Sequence, residues 1–510
     1  MEFVLLSLLS ILLLLILHKS TRPKAHLPPG PPPLPLIGNL HQLDTSSLHQ
    51  CLSQLSNKYG PLMSLHLGSV PTLVVSSAKM AKEVLKTLDL NFANRPPFLG
   101  LKKLSYNGLD IGFAPFSPYW KEMKKLCVLH LFSLQRVHSF RPVREDEVAK
   151  LIKKLSQHED GGLDKVINLS ETLISFTNTL ICRIAFGKKY GFEEDELLGS
   201  DEMSSSRRLH VLLNEVQALV AEFYFSDHFP LMGWVDRVRG TLQRLDRTFK
   251  DLDMIYEQVI HDHMDPDRAK SDGHEVADII DIFLKIMSDQ SFSVDLTLDH
   301  IKAVLMDIFT AGTDTVAAAI IWAMTALLNN PKEMNRVQEE IRQLLCNKDF
   351  INEDDIQRLP YLKAVVKETL RLFPPSPLLL PRETIQKCMI EEYEIQQRTL
   401  VYVNAWAIAR DPENFEDPER FNPERFIGSS IDFKGNDFEF LPFGAGRRMC
   451  PAMNMGVVTV QVALANLLYM FDWEVPSGIN KEDMLDTQVK PGITMHKKKD
   501  LYLVAKKHSI

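Results

Sequence analysis

Apolar residues run almost unbroken at the start of the chain. From Phe3 to Leu17, every position except Ser7 and Ser10 is Leu, Ile, Val or Phe. The run falls a little short of the roughly 20 residues that span a bilayer, but Met1 and His18 extend it at the interfaces. Glu2 stands where a secretory signal would carry basic residues, while Lys19, Arg22 and Lys24 follow the run. The expectation is an uncleaved anchor over 1–18, lumenal at its start, with everything after Lys19 in the cytosol. Residues 19–40 then read as a basic stop and hinge. Six prolines between Pro28 and Pro35 fix φ and remove donors, which favours a stiff, extended spacer.

From Leu48 to Met287 apolar positions recur at three and four, the period of helices packed on one face. Strand-like runs appear early, at Leu62–Leu67 and Thr72–Val75. A longer helix is predicted over Thr297–Asn330, stopped by Pro331. At roughly 1.5 Å per residue it is about 50 Å long. It is apolar nearly all round from Ala303 to Leu328 and should be buried. Asp307 and Asp314 argue against a second membrane span. In its middle lies Ala311-Gly312-Thr313-Asp314-Thr315, a run of weak helix formers whose hydroxyls can open the backbone ladder locally. Ala311 and Thr315 share a face, and a small residue beside a hydroxyl leaves room for a small ligand. A last apolar helix is predicted over Met453–Met470. The fold class that follows is mainly α with small β-sheets.

Composition narrows the function. The chain has 510 residues, 45% hydrophobic and 24% charged, with no Gly/Ser tract and no repeat. One compact catalytic domain over 41–510 is the simplest organisation. The net charge of -8 gives no reason to expect nucleic-acid binding. The six cysteines are scattered without a CxxC pair, which argues against a disulfide framework or a structural zinc site. His261 and His263, two apart on a helix, do not face one metal. Asn168-Leu169-Ser170 is a glycosylation sequon expected to stay unmodified in a cytosolic domain.

Two segments carry chemistry. Glu368 and Arg371 are three apart on one helix face. Glu333/Arg336 and Glu339/Arg342 share that spacing and read as solvated pairs. Arg425, in Pro423-Glu424-Arg425-Phe426, could supply a second guanidinium to Glu368, although spacing alone does not show the contact. The second segment, Pro442 to Ala452, is a glycine-rich loop ending at Cys450. Its glycines permit positive φ and close approach to a flat ligand, and nearby amides would favour a thiolate. A nucleophilic cysteine is the generic alternative, without an obvious His partner in sequence.

Taken together, these motifs resemble the cytochrome P450 superfamily, and within it the plant microsomal A-type enzymes. The resemblance spans the chain from the proline hinge onward, and Phe443-x-x-Gly446-x-Arg448-x-Cys450 is its most specific part. It implies a helix-rich triangular prism around a buried haem b, with Cys450 as axial ligand of the iron. Asp314 and Thr315 would conduct protons to dioxygen. Glu368, Arg371 and Arg425 would form a structural triad. Trp120, Lys124, Arg382 and Arg448 would meet the haem propionates, with Ala311, Pro442, Phe443 and Gly444 against the ring. Two departures stand out: Lys124 where the family usually has Arg, and Ala452 where it usually has Gly.

Pocket residues by the same resemblance are Phe98, Leu101, Tyr106, Leu212, Val216, Phe309, Leu378, Leu379, Leu380, Ile493 and Thr494. The implied activity is monooxygenation of a small apolar plant specialised metabolite (a phenolic, terpenoid or alkaloid). Electrons would come from NADPH through cytochrome P450 reductase, with cytochrome b5 as a further donor. The setting would be the endoplasmic reticulum membrane, single-pass. Aldoxime oxidation, as in glucosinolate-type metabolism, and a non-oxygenating haem-thiolate isomerase or dehydratase are the alternatives.

Overall fold

In the computed structural model of the protein, the described residues are 26–157, 166–187, 205–265, 277–289, 294–344, 346 and 348–508. The expected anchor lies outside them. Among these residues, ten helices of at least twelve residues make up the framework: α1 (Leu48–Tyr59), α2 (Pro118–His130), α3 (Arg141–Gln157), α4 (Leu169–Phe186), α5 (Ser205–Val220), α6 (Thr241–Met264), α7 (Leu298–Asn329), α8 (Pro331–Leu344), α9 (Pro360–Leu372) and α10 (Met453–Met470).

Among the described residues, nine short strands form three small sheets. In the first, β1 (Leu62–Leu67) pairs antiparallel with β2 (Val70–Val75), in the register Leu62 to Val75. Pro71 lies inside β2, and β2 therefore starts two residues before the pattern predicts. It is tolerated because the strand on the other side of β2, Leu400–Val403, pairs with β2 only from Thr72 onward. The second sheet comprises β3 (Ile167–Asn168), β8 (Phe471–Glu474) and β9 (Tyr502–Lys507), in the order β3-β9-β8. The first sheet is completed by β4 (Arg382–Glu383) and β7 (Leu400–Val403), and β5 (Cys388–Ile390) pairs with β6 (Tyr393–Ile395).

Helix α7 is the spine, packing on α4, α6, α8, α9 and α10. Thr297 and His300 form a reciprocal cap at its start, and Pro331 opens α8 directly after it. Both α7 and α10 are long and apolar enough to cross a membrane, yet 67% of the most apolar window of each is buried within the protein. Packing on neighbouring helices accounts for their apolarity. The expected opening of the α7 ladder does not occur: the helix is continuous. The hydroxyls of Thr313, Thr315 and Thr325 instead share carbonyls four residues back, at 2.8, 2.7 and 2.8 Å, and the surrounding helices hold the backbone in register.

Two motifs resolve into local structure. Asn168 caps α4 by accepting from Glu171 N at 3.1 Å. His263 turns its Nδ1 to the Val259 carbonyl at 2.6 Å and its Nε2 to Asp278 at 3.0 Å, tying α6 to the start of the short helix Ile279–Asp289.

Candidate functional site

One face of α7 is not sealed. Asp307, Thr310, Ala311, Asp314 and Thr315 all retain exposure, with Gly312 beside them, whereas the turns on either side are buried. Positions 307, 310, 311, 314 and 315 follow the i, i+3, i+4, i+7, i+8 pattern of a single helix face. Ala311, in the middle of a core helix, is exposed. A stripe of this kind inside the protein lines an open interior space.

The cysteine loop precedes α10, which packs directly on α7. Gly444 and Gly446 both take left-handed φ, at 66° and 69°, and a Cβ on Gly446 would meet the Leu85 carbonyl oxygen at 2.1 Å. Glycine at 446 is therefore required by conformation and by space. Cys450 donates its amide to the Phe443 carbonyl at 3.0 Å. The residue is exposed, yet protein surrounds it closely enough that burial pushes its thiol above the usual range; the Ala452 amide and the Lys124 charge pull the other way. Together these describe a sulfur opening on an internal space.

A dense cationic cluster adjoins the loop. Arg448 stacks 4.0 Å over Trp120, and both donate to the Ile111 carbonyl, at 3.3 and 2.9 Å. Arg448 also reaches the carbonyls of Ala93 and Ala114. Lys124 comes from α2 to the loop carbonyls of Arg447 and Met449. Arg382 pairs with Asp89 at 3.3 Å and donates to Ala445 O at 3.1 Å. Arg95 donates to the carbonyls of Gly112, Leu380 and Pro381. Burial and neighbouring cations push Arg448 down to about 9 and Lys124 down to about 8. Asp89 is shared between Arg382 and Arg447, so the cluster holds more buried positive charge than its carboxylates neutralise. A flat dianion beside the sulfur would relieve that excess. The two carboxylates of a haem, with Cys450 at its iron, fit this donor set.

Sequence reasoning missed Arg95, Asp89 and Asp110, because a lone Arg-Pro or Asp has no distinctive spacing. Asp110 is buried, and its Oδ1 has no conventional donor among the described residues. It faces Asp307, whose Oδ2 accepts from the amides of Ile111 and Gly112 at 2.8 and 3.0 Å. Burial first, then the charge of Asp307, push Asp110 well above the carboxylate range; burial also raises Asp307, against its two amides. One proton shared between two acceptors satisfies both, with Asp110 as its carrier. Raised carboxyls bind protons in the folded state that the unfolded chain releases above about pH 4, so this pair stabilises less as pH rises. Asp110→Asn, which keeps a donor, is expected to fold and to lose less stability than the wild type between about pH 5 and pH 8 in denaturant titrations.

The triad residues converge. Arg371 donates to Glu368 through Nε at 2.7 Å and Nη2 at 2.9 Å, and Arg425 Nε donates to the same carboxylate at 3.1 Å. The other Glu-x-x-Arg spacings do not form internal solvated pairs. Arg336 pairs with Glu424 and lies over Tyr361, and Arg342 reaches Asp472 at 2.9 Å and two carbonyls.

Among the expected pocket residues, several turn elsewhere. Phe309 is fully buried, with Phe186 at 4.8 Å and Tyr256 at 6.2 Å. Tyr106 donates to Asp253 at 2.8 Å and packs on Phe249. Val216 is sealed in the core; Val220, one turn on, is the residue that lines a small cavity with Leu101, Asp110, Met306, Asp307 and Thr310. Helical phase decides this for Phe309 and Val216, whereas Tyr106 lies in a turn with φ at 51°; the pattern of apolar residues reveals neither. Leu378 and Leu379 pack against two separate core clusters. Leu380, Leu212, Phe98 and Ile493 are half-buried, and Thr494 is nearly buried.

Comparison with known proteins agrees with this geometry. Residues 28–504 match the family described as Cytochrome P450. The chain is 46% identical to 6,7,8-trihydroxycoumarin synthase of Pastinaca sativa, over 97% of this chain and 96% of that protein. It is 47% identical to 5-OH-xanthotoxin synthase of Pastinaca sativa, with the same coverage. A solved zebra fish cytochrome P450 with abiraterone superposes with a TM-score of 0.74 at 26% identity, covering 91% of this chain and 99% of that one.

Proposed function

The chain belongs to the cytochrome P450 family, and from that premise we propose that it oxidises an aromatic phenolic of coumarin type, with Cys450 as the iron ligand. The enzyme class is a plant haem monooxygenase supplied with electrons from NADPH by a reductase. When bound, the haem activates dioxygen, so that one oxygen atom enters the substrate and the other leaves as water.

The chain's own residues have these roles. Cys450 presents its sulfur from a loop held by Gly444, Gly446 and the Phe443 carbonyl, and Pro442 and Phe443 in that loop would help to hold the haem. Trp120, Lys124, Arg382 and Arg448, with Arg95, would hold the haem carboxylates. Ala311 leaves space on α7, and Asp314 and Thr315 move protons at Oδ2 and Oγ1. Glu368, Arg371 and Arg425 fix the segment leading to the cysteine loop. Leu101, Thr310 and the half-buried Phe98, Leu212, Leu380 and Ile493 supply the apolar walls. The observation that carries this reading is the exposed stripe of α7 inside a chain whose cysteine is likewise exposed within the protein.

The coumarin class rests on the two relatives, whose names specify coumarin-type products. Microsomes containing the protein and its reductase, offered coumarins, furanocoumarins, alkaloids and an aldoxime, are expected to give an oxygenated coumarin by mass spectrometry, labelled from heavy dioxygen. Product from the aldoxime alone would replace this substrate class. Turnover without NADPH and dioxygen would select the isomerase, which has no need of an acid–hydroxyl pair.

Attachment to the endoplasmic reticulum through a single N-terminal span is part of the same proposal, with cytochrome b5 as a second donor. Leu36, Leu231, Trp234 and Val238 are 74, 93, 64 and 77% exposed. The hinge turn and the 225–238 segment adjoin through Gly68 and Ser69, which donate to Ile37 O at 3.2 Å and His228 O at 2.9 Å. An apolar edge of this kind suits a lipid surface.

A further inference from the structure

We infer that His496 is a positioning residue that passes protons from solvent to Asp314, an assignment resting on the Asp314–Thr315 relay proposed above. Asp314 projects from the exposed stripe of α7, and its Oδ2 lies 3.1 Å from Nε2 of His496. The Asp314 side chain is only 13% exposed, whereas the His496 ring is 25% exposed. The imidazole is thus the more exposed member of the pair.

The segment carrying His496 is clamped independently of this contact. Met495 donates its amide to Pro375 O at 2.8 Å, and the Met495 carbonyl accepts from Trp322 Nε1, on α7 itself, at 2.7 Å. Lys490 N donates to His496 O at 2.9 Å, and Val489 bridges to Lys497. The ring is therefore presented to Asp314 by backbone held on both sides. A tie between two elements needs only a donor. A proton route needs a group that can both accept and release a proton near neutrality while staying within hydrogen-bond reach, and imidazole is the side chain suited to that.

The step balances simply. Protonated His496 gives the proton on Nε2 to Oδ2 of Asp314, and the ring recovers a proton from solvent. No electron moves in this exchange. The two electrons and two protons of each turnover end in one water and one inserted oxygen atom, with NADPH and the reductase supplying the electrons. Thr315 Oγ1, which donates to Ala311 O at 2.7 Å, keeps its lone pairs for the next exchange.

His496→Gln retains an N–H donor but cannot relay a proton. The test uses the full chain in microsomes with reductase, dioxygen and NADPH. The reduced carbon-monoxide band, and the rate at which it forms, are expected to match the wild type. NADPH oxidation is expected to fall about 10-fold, less than direct proton-transfer defects because water can substitute in part. The peroxide share and the solvent deuterium isotope effect should both rise. Wild-type oxidation rate, peroxide share and isotope effect in the Gln variant would overturn the assignment. If that variant loses the carbon-monoxide band, His496→Asn, too short to reach Asp314, replaces it with the same expectations and the same overturning result. Asp314→Asn and Thr315→Ala run in parallel. If they alter these readouts and the His496 variant does not, only the His496 role fails. If none of the three alters them, the relay itself fails.

Discussion

Cys450→Ser is expected to abolish the red-shifted band of the reduced carbon-monoxide complex and to reduce product to background. Serine is nearly isosteric, so the amide bond to the Phe443 carbonyl and the left-handed glycines of the loop stay as they are. The change therefore removes the sulfur and little else. A hydroxyl oxygen is a harder and weaker donor to iron than a thiolate, and the electron density that favours O–O cleavage goes with the sulfur. Difference spectra of microsomes, with total haem measured separately, distinguish a changed ligand from lost haem. A variant that kept the band would remove Cys450 from the iron and with it the site proposed here.

The second large effect is on folding. Glu368 and Arg371 are both fully buried. All five N–H groups of Arg371 are used: two on Glu368, the others on the carbonyls of Ala409, Pro418 and Arg420, at 2.7, 2.8 and 3.2 Å. Glu368 also accepts from Asn422 N at 2.8 Å. Removing either partner leaves a buried charge uncompensated, at a cost of about 3–5 kcal/mol. Glu368→Ala and Arg371→Ala are expected to leave little folded, haem-binding protein, as read by the carbon-monoxide band per unit of protein. Arg371→Lys is expected to fare little better, because an ammonium has three donors and no fork. Wild-type yield of the lysine variant would show that the carbonyl contacts of Arg371 do not matter.

These two predictions differ in how far the sequence led to them. Cys450 stands in a segment whose glycines, arginine and cysteine are adjacent in the chain, so its chemistry is legible locally. The Glu368 cluster is not. Three Glu-x-x-Arg spacings look alike in the sequence, and the buried one is distinguished by Arg425 and by backbone carbonyls some 40 to 60 positions away. The pocket shows the same limit. The family resemblance places Phe309 and Val216 in the pocket, but both turn into the core instead, Phe309 against Phe186 and Tyr256.

Short-range regularities were therefore set by the sequence itself: where α7 and α10 begin and end, where a hairpin forms, which loop can present a thiol, and that the bulk of the chain is helical. Those depend on hydrogen bonds and steric limits within a few residues. Tertiary structure alone decided which face of a largely apolar α7 would be left uncovered, which arginines would gather without enough carboxylates, and that His496 would meet Asp314 across 182 positions. Such contacts arise from packing between distant segments, where burial fixes the partner and the residue types near each position do not.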